Sequence, residues 1–175
     1  NTVATTKDPA TTTFNQTVYS FWFTSVIGQY ISAWRLQLQL LKIKNSRFFS
    51  FKNDMLYYTI FELAYLFVVY SFFGLYGLFL AVIIGILSFL FLETINYIEH
   101  YGLLRNKLPS ERYERVQSHH SWNSNHFIGR IVLYELTRHS DHHYKASKKY
   151  QILENKRESP QPVSYTHLTL PTKRI

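Results

Sequence analysis

The chain of 175 residues, room for one domain, carries a formal charge of +8, has no cysteine, and is 18% aromatic, with 14 Phe and 14 Tyr. Without cysteine it has no disulfide framework, zinc ribbon or iron–sulfur cluster, so any metal must rest on His, Asp or Glu. The positive balance comes with no recognition-helix or RNA-binding signature, which argues against nucleic acid and for anionic lipid facing the basic side chains.

Asn1 to Thr17 is polar and rich in Thr, with Asp8-Pro9 as a turn signal. It lacks the basic start and apolar core of a signal peptide, and without an initiator Met the chain is expected to be a fragment. Val18 to Lys44 mixes aromatic and aliphatic residues (Phe21, Trp22, Tyr30, Trp34, Leu38) with Arg35, Lys42 and Lys44 gathered toward its end. This composition predicts a helix lying in the membrane interface, the alternative being an amphipathic helix on a soluble core.

Leu56–Phe73 and Leu78–Ile98 are two apolar runs split by Gly74 and Gly77. From Met55 to Ile98 the only acids are Glu62 and Glu93, and Lys and Arg are absent. At about 1.5 Å per residue each run is roughly 27–32 Å long, matched to a hydrocarbon core. The pattern predicts a membrane hairpin. Lys42, Lys44, Arg47 and Lys52 precede it, and Arg105, Lys107, Arg112 and Arg115 follow it, so both ends are expected in the cytoplasm. A buried soluble hairpin would need a larger core than this chain can build.

Beyond Arg105 the sequence is basic and rich in histidine: His119, His120, His126, His139, His142 and His143. A helix from Gly129 to Lys145 is predicted, with Ile131, Leu133, Tyr134 and Leu136 on its apolar side. His139, His142 and His143, at i, i+3 and i+4, share one face of it. Neutral imidazoles bind iron, copper, zinc and nickel, so this face is a candidate for half of a metal cage. Asp141 and Glu135 are close enough in sequence to orient such imidazoles from behind. His100 follows Glu99 where the second apolar run meets water. The bland alternatives are a solvated basic helix and an interfacial histidine.

Three stretches carry a resemblance. Asn96-Tyr97-Ile98-Glu99-His100-Tyr101-Gly102-Leu103, the run from Arg115 to His126 with its His-Ser-Trp-Asn-Ser-Asn-His core, and Arg138-His139-Ser140-Asp141-His142-His143 with Tyr150-Gln151 resemble the membrane-bound alkane 1-monooxygenases. These are histidine-rich diiron hydroxylases related to fatty acid desaturases. The resemblance implies an all-α fold: an integral-membrane helical hairpin, an interfacial helix and cytoplasmic histidine-bearing helices, together a partial domain over residues 1–161. It implies His100, His139, His142 and His143 as ligands of two iron ions, with five further histidines upstream of Asn1. Glu99, His120, His126 and Asp141 are expected in supporting roles behind the ligands.

The implied activity is hydroxylation of the terminal methyl of n-alkanes with dioxygen. Electrons would come from rubredoxin and its NADH-dependent reductase, at a bacterial inner membrane crossed several times, with the active site on the cytoplasmic side. An aryl-methyl monooxygenase or a fatty acid desaturase is the near alternative. A non-enzymatic membrane metal-binding protein is the distant one. Residues 162–175, including His167, read as a non-native tail outside the site.

Overall fold

The computed structural model describes residues 2–161, so the expected tail lies outside the described residues. Four α-helices follow in order: α1 (Val18–Ile43), α2 (Asp54–His100), α3 (Phe127–Val132) and α4 (His139–Tyr144). Two 3-10 turns, Ser118–His120 and Tyr150–Ile152, complete the helical elements. Among the described residues there is no strand, only an isolated bridge between Lys107 and Tyr113. The chain divides into two compact units, one of residues 26–93 and the other joining 2–25 to 94–161.

In the unit of residues 26–93, the first half of α2 starts on a fully buried Asn53. Its Oδ1 accepts from the Leu56 amide at 3.2 Å, while its Nδ2 donates to the Phe48 carbonyl at 3.0 Å. This is an N-cap that also fixes the preceding loop. The helix is 47 residues long and apolar enough to cross a membrane. Phe67, Phe72 and Leu75 are all at least 70% exposed. A helix apolar on every side needs an apolar solvent around it.

Helical geometry is interrupted once, at Gly74, with φ 63° and ψ −163°, a region essentially reserved for glycine. The chain reverses there. Gln29 Nε2 donates to Glu93 Oε1 at 3.1 Å, and Gln37 Nε2 donates to the Lys52 carbonyl at 2.8 Å. Gln29 and Gln37 stand about 12 Å apart along α1, whereas a straight helix would carry Lys52 and Glu93 roughly 60 Å apart. The expected hairpin is therefore built around Gly74 alone, and Gly77 lies within the helix that follows.

In the other unit, the N-terminal segment wraps the end of α2. Arg105 N donates to the Ala4 carbonyl at 2.8 Å and Gly102 N to the Thr12 carbonyl at 3.1 Å. Tyr97 Oη donates to the Gln16 carbonyl at 2.6 Å, and the Tyr97 ring meets Phe21 edge-on, centroids 5.5 Å apart. Ala4 and Phe21 are fully buried at the centre of this packing. Gly102, at φ 69°, is the left-handed residue that stops α2 just past His100.

The helix predicted over Gly129–Lys145 is a correction. The structure has two short helices, α3 and α4, with Leu133–Arg138 between them. α3 ends in a Schellman motif: Glu135 N donates to the Arg130 carbonyl at 2.7 Å and Tyr134 N to the Ile131 carbonyl at 3.3 Å. Tyr134, at φ 49°, occupies the position usually given to glycine. The Arg130 guanidinium clamps the Glu135 carboxylate through two nitrogens, at 2.9 and 2.7 Å, which holds the break in place.

Candidate metal centre

α4 begins at His139, and its start is fastened from three directions. Asn123 Oδ1 accepts from the Ser140 amide at 2.9 Å, taking up one of the amides a helix leaves unpaired. Ser140 Oγ and Ser159 Oγ lie 2.6 Å apart, both buried. Asp141, fully buried, accepts from Lys148 Nζ at 2.8 Å and from the Glu154 amide at 2.9 Å, with Lys156 Nζ at 3.5 Å. The same loop that supplies Asn123 reaches back to α2. Trp122 N donates to the Glu99 carbonyl at 2.9 Å and Trp122 Nε1 to the Tyr101 carbonyl at 2.8 Å. Residues 122–123 thus tie the end of α2 to the start of α4.

The result is a convergence of three imidazoles. His100 Nε2 is 2.9 Å from His139 Nε2 and 3.3 Å from His143 Nε2, and the latter two are 2.7 Å apart. His100 and His139 are buried and His143 is half-buried. Hydrogen bonds cannot satisfy this triangle. Each Nε2 is either a donor or an acceptor, and three corners cannot alternate between two states, so at least one edge sets like against like. A cation accepting three lone pairs removes the conflict. Nitrogens about 2.1 Å from one ion and at right angles to each other stand ~3.0 Å apart, within the observed range. The donor set fits a borderline metal such as iron, copper or zinc.

Electrostatics favour the same state. Burial holds His139 well below the usual histidine range, the neighbouring His143, His100 and His142 push it further down, and the Leu136 backbone pulls weakly the other way. Burial, with His100 and His142, lowers His143 to about 3, and Asp8 opposes that shift. Both rings are neutral near pH 7, the form that ligates metal. Glu99 Oε2 stands 3.0 Å from His139 Nδ1, out of line for a full hydrogen bond. It faces the ring nitrogen opposite the one that joins the cluster.

The other predicted site residues fall elsewhere. The His142 ring is beside the cluster, its centroid 6.0 Å from His139 and 5.4 Å from His143, but it is not one of the three that converge. His120 is a loop residue: its Nδ1 accepts from the Gln117 amide at 2.9 Å, so its Nε2 carries the proton facing Glu114 Oε1 at 3.2 Å. Burial and the neighbouring His119 lower the His120 pKa, while Glu114 opposes them. His126 is exposed and precedes α3 as its N-cap. Asp141 anchors the segment after α4 and orients no imidazole. Glu135 is held by Arg130 and Arg138. Asn123 and Trp122, which position the ligands, carry no periodic or charge signal in the sequence; they stood out only as part of the resembling run.

The fatty acid desaturase family model matches residues 1–167. Alkane 1-monooxygenase of Ectopseudomonas oleovorans is 40% identical over 151 residues, 86% of this chain and 38% of that protein. Alkane 1-monooxygenase 1 of Alcanivorax borkumensis is 38% identical over 170 residues, 97% of this chain and 40% of its own length. The xylene/toluene monooxygenase hydroxylase component of Pseudomonas putida is 29% identical over 147 residues, 83% of this chain and 38% of that protein. The chain spans about two-fifths of the length of these curated relatives.

Proposed function

The chain belongs to the fatty acid desaturase family, and from that premise we propose that it is part of a membrane-bound diiron monooxygenase that hydroxylates the terminal methyl of n-alkanes. The observation that carries this reading is the convergence of the His100, His139 and His143 Nε2 atoms, together with the names of its relatives. In the proposal His142 would also hold iron, together with histidines from the rest of the longer protein. When bound, the iron pair would supply the oxidising power that no side chain possesses, inserting one atom of dioxygen into an unactivated C–H bond.

The chain's own residues bind, orient and exclude water. Burial keeps the imidazoles of His139 and His143 neutral, so their lone pairs are available at physiological pH. Glu99, 3.0 Å behind His139 Nδ1, stands where an aligned hydrogen bond would put the proton on Nδ1 and leave Nε2 free to face the metal. The polar loop residues Asn123 and Trp122 hold α4 against the end of α2, which sets the ligand spacing. The apolar α2 gives a lipid-dissolved alkane a route that never enters water.

Converting RH and dioxygen to ROH and water consumes two protons and two electrons. The proposed donor is rubredoxin, reduced by its NADH-dependent reductase. In this reading the protein lies in a bacterial inner membrane, crossing it several times, with the site on the cytoplasmic side. The likeness to the xylene/toluene hydroxylase component favours an aryl-methyl substrate as the second reading.

The test is conversion of octane to 1-octanol, with p-xylene in parallel, by membranes containing the full-length protein, rubredoxin, its reductase and NADH. Octanol formation with two irons per protein supports the proposal. Oxidation of p-xylene alone selects the second reading. Iron-free protein with no oxidation of either would overturn both.

A further inference from the structure

Between α1 and α2 the chain runs Lys44-Asn45-Ser46-Arg47-Phe48-Phe49-Ser50-Phe51-Lys52-Asn53. This loop is held by its own unit. α1 ends in a Schellman motif: Ser46 N donates to the Leu41 carbonyl at 2.9 Å and Asn45 N to the Lys42 carbonyl at 3.1 Å, with Asn45 left-handed at φ 45°. Buried Asn53 holds the Phe48 carbonyl, and Gln37 holds the Lys52 carbonyl. Trp34 of α1 stacks on the Phe48 ring, centroids 6.0 Å apart and planes 12° apart.

The surface so presented is apolar and cationic at once. Phe49 is 83% exposed and Phe51 92%. Lys44, Arg47 and Lys52 are exposed beside them in sequence. Between Arg35 and Glu62 the only acid is Asp54, which opens α2. Aromatic rings held out by a fixed backbone mark a surface that meets another phase or molecule. α2 is apolar enough to cross a membrane and begins two residues after Lys52, so the loop stands where that crossing starts.

We propose that residues 44–52 form a site for anionic phospholipid, with Phe49 and Phe51 entering the acyl region and Lys44, Arg47 and Lys52 meeting the headgroup phosphates. Charge decides the occupant. A second copy of the loop would set cation against cation. A zwitterionic lipid would give the rings the same acyl chains but the cations no net charge to meet. An acidic headgroup answers both halves of the surface, as apolar segments flanked by Lys and Arg do at membrane surfaces. The inference requires that α2 cross a bilayer and is independent of the reaction proposed above.

The experiment uses the full-length protein in phosphatidylcholine vesicles, with any other cysteine replaced by serine and Phe49→Cys carrying a bimane fluorophore. The vesicles receive the same small fraction of brominated phosphatidylglycerol or of brominated phosphatidylcholine. The ratio of the two quenching constants reads the lipid preference at the loop itself. Phosphatidylglycerol should quench several times more strongly. Arg47→Gln combined with Lys52→Gln should lower the preference at least about 5-fold, the effect of one cation near a charged surface. Both side chains are exposed, and the loop's hydrogen bonds to residue 52 use its backbone. Lys7→Gln, in the exposed N-terminal segment, should leave it unchanged.

Quenching by neither lipid would mean that another protein surface covers the loop. Equal quenching by both would mean that the cations take no part. Either result overturns the site, and so does an equal fall in Lys7→Gln, which would reduce the preference to net charge. Octane turnover does not enter the readout, so loss of the hydroxylase reading would leave this result standing.

Discussion

Glu99 Oε2 faces His139 Nδ1 across 3.0 Å, with both side chains buried. The pair spans two elements, joining the last turn of α2 to the first residue of α4. A carboxylate in this position, brought into line, would select the tautomer of the imidazole whose other nitrogen meets His100 and His143.

Glu99→Gln in the full-length protein should lower metal affinity about 10–100-fold while leaving the helical content intact, because outer partners of ligating histidines contribute on that scale. Competition with a chelator of known affinity, read by metal analysis, gives the value. Unchanged affinity would mean that the carboxylate does not orient His139.

Replacing His100, His139 or His143 by Ala should remove bound metal and abolish octane turnover. His142→Ala should also abolish turnover, since the proposal makes it an iron ligand. His126→Ala should change metal content little, because that side chain is exposed before α3. Full activity in His142→Ala would restrict the ligand set to the three rings that converge.

Stability of the metal-free region around α4 should depend on pH in one direction. In the unfolded chain His139 and His143 take up a proton near 6.5. In the folded chain burial delays protonation of His143 to about 3 and pushes His139 down as well. Between those values the unfolded state binds more protons, so stability rises with pH. The contribution is complete above about 6.5 and is lost as pH falls toward 3. Hydrogen exchange of the His139–Tyr144 amides, corrected for intrinsic rates, should show opening that increases across that window. Protection that is flat with pH would contradict the burial argument.

Gly74→Ala should destabilise the hairpin by about 1–3 kcal/mol, because a side chain is forced into a conformation reserved for glycine. The readout is a lower midpoint of thermal unfolding in detergent. Since the chain has no native cysteine, Ser46→Cys and Ser110→Cys can be labelled singly with a membrane-impermeant reagent. Both should react from the same side of the membrane. Labelling from opposite sides would rule out two crossings between them.

Some of this architecture was readable from residues alone. The bounds of α1 differ from the interfacial helix expected over Val18–Lys44 by one residue, because an aromatic stretch ending in lysines marks its own limits. The glycines between two apolar runs announced the reversal, since only glycine tolerates the backbone needed at residue 74. The break between α3 and α4 was hidden because Tyr134 adopts the left-handed conformation there, and nothing in its side chain signals that. His100 lies 39 residues before His139, so periodicity could not bring them together; the family resemblance did. Spacing put His142 and His143 on one face equally. The i+4 ring turned toward the convergence and the i+3 ring did not, which depends on how α4 is rotated by its anchors at Asn123, Ser159, Lys148 and Lys156.

The reversal at Gly74 also bears on how the protein reaches its place. A chain that doubles back within its apolar segment can enter a bilayer as a closed pair, with only the few uncharged residues around Ser71–Gly77 carried to the far side. On the proposed two-crossing topology the clusters Lys42–Lys52 and Arg105–Arg115 would never leave the side where they are synthesised. Each lysine or arginine set at the centre of the hydrocarbon would cost ~2.5–3.5 kcal/mol on insertion scales. On that topology a single glycine would spare the translocation machinery every basic residue on both flanks.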